Sequence, residues 1–196
     1  MSNDAVDTGR RRFLTAATGV VGAVGGAFVA YPFLASWKPS AKAQAAGAPV
    51  QADISKLEIG ERMTVEWRGQ PIWIVRRTPE VLKNLASIAD KLKDPESTDE
   101  GQQPVYAKNE LRSIKPEYAV LIGICTHLGC SPLYKKEMNE VREGVLGGFF
   151  CPCHGSRFDL AGRVFSGVPA QQNLKVPPYK YLSDTMLMIG VDQEKA

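Results

Sequence analysis

The sequence lacks the features that mark several functional classes. Lysine and arginine number 24 against 21 aspartate and glutamate, so the formal net charge is only +3 over 196 residues. A bias this small predicts no nucleic acid partner. No C-x-x-C-H motif occurs, so no covalently attached c-type haem is expected. Hydrophobic residues make up 44% and charged residues 23%, which excludes wholesale disorder and is typical of one folded domain with appendages.

Histidine and cysteine are also scarce, but their distribution is informative. The chain has two histidines and four cysteines, and all six lie between Cys125 and His154. Scattered core cysteines and surface histidines would not gather in so short a segment. The clustering therefore predicts a functional site there.

Only one long uncharged run occurs, Phe13–Trp37, and it follows Arg10-Arg11-Arg12. It is long enough to cross a bilayer, and the arginines before it predict a cytoplasmic N-terminus over 1–12 and a transmembrane anchor over 13–37. The pattern R-R-x-F-L also resembles the twin-arginine export signal. A cleaved signal peptide is the alternative, because Ala41-Lys42-Ala43 has the small-x-small form of a cleavage site.

Residues 38–49 form an alanine-rich linker without a large apolar side chain, so they cannot contribute to a core. As a flexible coil they would reach about 20 Å. Composition leaves two interpretations open, a passive spacer and a hinge that lets the following domain move.

The remainder of the chain, residues 50–196, is predicted to be a mostly β domain with antiparallel strands. One helix is predicted over 80–93, with Thr78 as its N-cap and Pro79 at its first position. The charged stretch 94–104 is interpreted as solvated surface. The predicted strands are 63–67 and 72–76, joined as a hairpin, then 118–124, 144–150, 179–182 and 186–191, with a second hairpin over 158–165.

Two short loops carry the chemistry, CTHLGC at 125–130 and CPCHGS at 151–156. Each begins with a thiol that is followed two or three residues later by an imidazole. Two thiolates and two imidazoles on facing loops can hold a metal centre, and the candidate ligands are Cys125, His127, Cys151 and His154. A structural zinc site with the same ligands is one alternative. Two plain disulfides with bystander histidines are another.

The loops resemble those of the Rieske iron–sulfur proteins, and specifically those of the iron–sulfur subunits of ubiquinol–cytochrome c reductase (the cytochrome bc complex). The resemblance extends over nearly the whole chain, from the anchor and linker to the tail QNLKVPPY. It implies an antiparallel Rieske-type β domain with one helical insertion and a small cluster-binding part at about 120–170, preceded by a single transmembrane helix.

The resemblance also implies one 2Fe-2S cluster. Cys125 and Cys151 would bind one iron, and His127 and His154 would bind the other. The two further cysteines, Cys130 and Cys153, would form a disulfide, which persists only in an oxidising compartment.

Further roles follow from the same resemblance. His154, at an exposed tip with His127 beside it, would accept a hydrogen bond from the quinol hydroxyl. Ser156 would donate its hydroxyl to a bridging sulfide. Phe158 stands where the highest-potential members have a tyrosine that donates to a cysteine sulfur, and 167–169 occupies the loop expected to cover the cluster.

The implied activity is transfer of an electron from ubiquinol, at the quinol site of cytochrome b, to cytochrome c1, which contributes to proton translocation. The expected setting is a dimeric complex in the bacterial inner membrane, with lipid around the anchor and the Rieske domain in the periplasm. The chain alone would not turn over quinol. One alternative is the Rieske subunit of another exported oxidoreductase, such as arsenite oxidase. Ring-hydroxylating oxygenases and their ferredoxins share the ligand spacing, but they usually lack the two spare cysteines and therefore resemble this chain less.

Overall fold

The computed structural model describes residues 7–192, so positions 1–6 of the predicted cytoplasmic segment and positions 193–196 lie outside the described residues. The chain divides into two compact units, Met1–Ala45 and Ala46–Ala196.

The N-terminal unit is dominated by one long apolar helix. Helix α1 spans Thr8–Ser36 and therefore begins earlier than the predicted anchor. The reason is a cap: the Asp7 carboxylate accepts hydrogen bonds from the backbone N–H groups of Gly9 and Arg10. By length and composition the helix could cross a membrane, since its segment contains an 18-residue window with a mean hydropathy of 1.8. Inside the linker, Ala41–Ala46 forms a short helix, α2, as its alanine content favours.

The second unit is built from three antiparallel sheets of three strands each, with orders β1-β9-β8, β2-β3-β4 and β5-β6-β7. The prediction of a mostly β, antiparallel fold with one helical insertion is thereby confirmed. Its elements are β1 Val50–Asp53, β2 Arg62–Trp67, β3 Gln70–Arg76, α3 Pro79–Ser87, β4 Tyr118–Ile122, β5 Leu133–Met138, β6 Leu146–Phe150, β7 Arg157–Phe158, β8 Tyr179–Ser183 and β9 Met186–Ile189.

The predicted first hairpin is confirmed, and its connection is tighter than the sequence suggested. Strands β2 and β3 pair up to Trp67 and Gln70, so only Arg68 and Gly69 form the turn. Both turn residues have positive φ, +53° and +70°, as a two-residue turn between right-twisted strands requires. The buried strand β3 then pairs with β4, which leads into the first cysteine loop.

Helix α3 begins as predicted but ends earlier. The Thr78 hydroxyl oxygen accepts a hydrogen bond from the Val81 N–H, which fixes the N-terminus. The predicted end at residue 93 is wrong, because α3 stops at Ser87 and a single 3₁₀ turn follows. Leu92 is extended and forms an isolated antiparallel bridge with Phe165, so pairing with a distant segment replaces the last helical turn.

The prediction that 94–104 is only solvated surface is wrong. Ser97, Gln102 and Gln103 are buried in this stretch. The Gln103 side-chain amide donates to the backbone oxygens of Ser97 and Asp99, and the Val176 N–H donates to the Gln102 oxygen. The stretch is therefore folded against the domain, and its charged side chains hide that role in the sequence.

An unpredicted group of charged side chains lies in the interior. Arg77, Arg112 and Arg163 are each no more than 2% exposed, and within residues 7–192 only Arg163 forms an ion pair with a carboxylate, that of Asp159 at 2.7 Å. Burial lowers the pKa of Arg77 and of Arg112 to about 10, because loss of water disfavours the charged form. Both guanidinium groups donate to backbone carbonyl oxygens, which compensates part of that cost.

Candidate metal centre

The first cysteine loop follows strand β4 and is closed by its own backbone. The Cys125 N–H donates to the Cys130 oxygen at 2.8 Å, and the Gly129 N–H donates to the Cys125 oxygen at 3.0 Å. Gly129 has φ +83°, which favours glycine at this fifth position of the loop.

The second cysteine loop follows strand β6 and repeats that closure. The Cys151 N–H donates to the Ser156 oxygen at 2.8 Å, and the Gly155 N–H donates to the Cys151 oxygen at 2.9 Å. Gly155, again the fifth residue, has φ +75°. The two hexapeptides therefore have the same backbone hydrogen bonds, and each starts with a buried cysteine.

The structure pairs Cys130 with Cys153 in a disulfide that joins the two loops. Cys125 and Cys151 are free thiols, 3% and 2% exposed. The sulfur of Cys151 lies within 4.8 Å of both disulfide sulfurs. This trio is not a plausible ligand set as it stands, because sulfurs bonded in a disulfide cannot serve as thiolate ligands.

The two histidines, predicted as ligands, lie side by side. Their ring centroids are 4.8 Å apart and the ring planes are nearly perpendicular, at 87°. His154 is exposed, whereas His127 is half-buried. The Nδ1 atom of His127 is buried and has no hydrogen-bond partner among the described residues. A buried ring nitrogen of this kind needs a partner, and a metal ion is one.

The thiol of Cys125 lies in an environment that disfavours a bare thiolate. Burial raises its pKa above the ordinary value, while the backbone N–H of His127 and the hydroxyl of Ser156 act in the opposite direction. A bound cation would reverse the effect of burial, because it deprotonates a coordinating thiol outright.

The segment that contains 167–169, the loop expected to cover the cluster, ties both cysteine loops together through contacts that the sequence did not reveal. We call residues 166–173 the bridging segment. The Thr126 hydroxyl, in the first loop, donates to the Gln172 oxygen at 2.6 Å. The Ala170 N–H donates to the Ser156 hydroxyl oxygen, in the second loop, at 3.0 Å. Ser156 is fully buried, so this contact is protected from water.

Phe158, which stands where the highest-potential members have a tyrosine, lies close to the second cysteine loop in the chain. It follows the second loop on strand β7, pairs with Phe149 of β6 and is fully buried. A side chain here is shielded from solvent next to the cysteine loop. The phenylalanine ring brings no hydrogen-bond donor to that environment.

Taken together, the donor groups fit a Rieske-type 2Fe-2S cluster. Two free thiols are buried in facing loops, two imidazoles adjoin each other, and one buried ring nitrogen finds no hydrogen-bond partner in the part of the chain that the structure describes. The mixed sulfur and nitrogen donor set is the one that such a cluster requires.

Comparison with known families gives two matches that together cover most of the chain. Residues 49–179 match the Rieske [2Fe-2S] domain. Residues 1–40 match the TAT signal of the ubiquinol–cytochrome c reductase Fe–S subunit.

Individual proteins similar to this chain give a consistent result. The ubiquinol–cytochrome c reductase iron–sulfur subunit of Allochromatium vinosum is 58% identical, over 100% of this chain and 95% of that protein. The corresponding subunit of Bradyrhizobium diazoefficiens is 43% identical over 92% and 94%. A chain in a solved structure of a hyperthermophilic respiratory Complex III is 28% identical, with a TM-score of 0.46 over 88% of this chain and 98% of that one.

Proposed function

Because the chain belongs to the Rieske iron–sulfur subunits of ubiquinol–cytochrome c reductase, we propose that it takes an electron from ubiquinol and passes it to cytochrome c1. The observation that carries this proposal is the pair of matching loops, which place two buried thiols and two adjacent imidazoles together. One imidazole of the pair, His154, is exposed and can meet a substrate.

Four side chains would hold the cluster. Cys125 and Cys151 would bind one iron through their sulfurs, and His127 and His154 would bind the other through ring nitrogens, with His127 using its unpartnered Nδ1. When bound, the cluster supplies a one-electron acceptor of high potential, since two neutral imidazoles replace two anionic thiolates. The Cys130–Cys153 disulfide holds the two ligand loops together.

His154 would handle the proton of the reaction. The exposed imidazole is free to accept a hydrogen bond from the quinol hydroxyl at the ring nitrogen that does not bind iron. Quinol oxidation breaks the O–H bond, so the electron passes to this subunit while the proton moves to that nitrogen. Leu128, which follows His127 in the sequence and is 70% exposed, offers an apolar contact to a quinol or to a docking partner.

The membrane setting follows from the N-terminal unit. Helix α1 would anchor the subunit in the bacterial inner membrane, with Arg10–Arg12 on the cytoplasmic side and the Rieske domain in the periplasm. The cytochrome b and cytochrome c1 subunits of a dimeric complex would be its partners. Residues 38–49 would act as the hinge between anchor and domain, with the short helix α2 inside it.

Electron paramagnetic resonance of the ascorbate-reduced protein tests the cluster. We expect a rhombic signal with an average g below the free-electron value, together with iron and acid-labile sulfide. The variant Cys125→Ser should lose the signal, whereas Ser183→Ala, at an exposed position outside the loops, should keep it. A colourless protein that contains zinc would contradict the proposal.

The activity requires a separate test in membranes. Deleting the chain should abolish quinol-dependent reduction of cytochrome c while cytochromes b and c1 remain assembled, and the wild-type chain should restore it. Full activity in membranes that lack the chain would show that the cluster serves another reaction.

A third prediction concerns the buried ring of Phe158. Phe158→Tyr should raise the midpoint potential by about 40 mV, because one added hydrogen bond to a cysteine sulfur favours the reduced state by about 1 kcal/mol. The measurement is a redox titration followed by electron paramagnetic resonance. Phe165→Tyr, an equally buried position farther along the same segment, is the control and should not raise the potential. An unchanged potential in Phe158→Tyr would refute the interpretation.

A further inference from the structure

One buried amide side chain connects three separate parts of the domain. Asn173 is 1% exposed and ends the bridging segment. Its Oδ1 accepts a hydrogen bond from the Val164 N–H at 2.8 Å. Its Nδ2 donates to the Asp94 backbone oxygen at 3.0 Å and to the Ser97 hydroxyl at 3.4 Å. The donor and acceptor sides of the amide are therefore used on different chain segments.

These contacts fix the end of the bridging segment in the interior. Asp94 and Ser97 belong to the folded stretch between α3 and β4, and Val164 belongs to the strand-like segment after the second loop. Because buried amide groups lose free energy when left unpaired, a single geometry that satisfies both ends of Asn173 is strongly favoured. A second contact acts nearby, since the Gln172 side chain donates to the Asp99 carboxylate at 2.7 Å.

The position of the bridging segment determines how the Ser156 hydroxyl is oriented. The Ala170 N–H donates to the Ser156 oxygen, so the hydroxyl hydrogen cannot point toward Ala170. Ser156 is fully buried, so bulk solvent does not reach the hydroxyl. Among the described residues the Ser156 hydroxyl oxygen accepts from Ala170 but the hydroxyl hydrogen has no acceptor, so that hydrogen is left for a group held by the two ligand loops.

We propose that Asn173 is a positioning residue: through the bridging segment it holds the Ala170 N–H on Ser156 and so directs the Ser156 hydroxyl toward the cluster sulfurs. The inference rests on the proposed function, because the hydroxyl matters only if a cluster is bound. The hydrogen bonds of the Asn173 side chain go to Val164, Asp94 and Ser97 and to none of the four proposed ligands among the described residues, so it would act through the position of the backbone.

The test is a redox titration of the full-length protein with its cluster. Asn173→Leu keeps the size of the side chain and removes its hydrogen bonds without adding charge. We expect the equilibrium between reduced and oxidised cluster to shift about tenfold toward the oxidised form, which is about 59 mV for one electron. Asn84→Leu is the matched control, because Asn84 also accepts from a backbone N–H (Leu146) and donates to a carbonyl (Gly144). Asn84 lies outside the bridging segment, so the midpoint potential of the cluster in the Asn84→Leu variant should equal the wild-type value.

A double-mutant cycle with Ser156→Ala separates positioning from general loosening. If Asn173 acts through Ser156, Asn173→Leu should shift the equilibrium less than about twofold once the hydroxyl is absent. Equal shifts with and without Ser156 would overturn the proposal.

If Asn173→Leu does not fold, the variant Ser97→Ala replaces it in the test. Ser97→Ala removes only one of the hydrogen-bond acceptors of Asn173. It should shift the equilibrium by less than Asn173→Leu, in the same direction, and only when Ser156 is present. If the wild-type protein gives no rhombic electron paramagnetic resonance signal, the proposed function itself is contradicted. If the wild type gives the signal but the redox equilibrium of the variants is unshifted, only this inference is contradicted.

Discussion

Replacing Asp159 by asparagine is expected to lower the free energy of unfolding by about 3 kcal/mol or more. The change removes the carboxylate that pairs with Arg163, and Arg163 is only 1% exposed to water. Two other buried arginines, Arg77 and Arg112, lose the same nearby negative charge. Asparagine has the same shape and keeps an acceptor oxygen for the backbone N–H groups of Ala161 and Arg163. The loss of stability is therefore assigned to the missing negative charge. The free energy of unfolding is measured by urea titration, followed by tryptophan fluorescence.

The control for this prediction is an ion pair of the same type on the surface. Lys115 and Asp184 are 2.8 Å apart, but the Asp184 side chain is 98% exposed. Asp184→Asn should leave the urea midpoint unchanged, because exposed pairs are screened by water and salt. Similar midpoints for Asp159→Asn and Asp184→Asn would show that the buried charges are compensated by another group.

Removing the disulfide should have an effect of similar size. Cys130→Ser combined with Cys153→Ser is expected to lower the free energy of unfolding by about 3 kcal/mol, since the bond closes a loop with a sequence separation of 23. The bridging segment, which hydrogen-bonds to both ligand loops, would then remain to join them. We therefore also expect the cluster to be lost at a lower temperature, as followed by the visible absorbance.

Treatment with a reducing agent provides the control for the disulfide. The wild type should approach the stability of the double variant when Cys130–Cys153 is reduced, and the double variant should not respond. A double variant as stable as the oxidised wild type would mean that the bridging segment alone holds the loops in place.

The features that could be predicted from the sequence are those determined by neighbouring residues. The cap of α3 follows from Thr78 and Pro79, which act within one turn of the helix. The hairpin of β2 and β3 follows from two β-rich runs that flank a short turn. The metal-centre candidates follow from the spacing of Cys and His within each loop, and the structure brings His127 and His154 together.

The features that could not be predicted depend on partners far away in the chain. Strand β1 is only four residues long and exists because it pairs with β9, which follows more than 130 residues later. Leu92 continues an apolar helical pattern, but its bridge to Phe165 ends the helix first. Local periodicity contains no information on either pairing.

Buried polar groups were hidden for a related reason. Composition treats Arg77 and Arg112 as surface residues, and only the carbonyl oxygens that surround them permit their burial. Asn173 likewise sits in a polar run, and its three partners lie on segments whose proximity the sequence does not reveal. Hydrogen-bond satisfaction in the interior is a property of the assembled fold.

The matching closures of the two hexapeptides limit how this protein can vary. Each loop joins its first residue to its fifth and sixth through the main chain, so inserting or deleting one residue would break both bonds. Leu128 and Pro152 are exposed and take no part in these closures, so the closures place no demand on their side chains. Loop length is therefore the invariant quantity, and the same pair of six-residue modules could be grafted onto adjacent strand ends of another antiparallel scaffold.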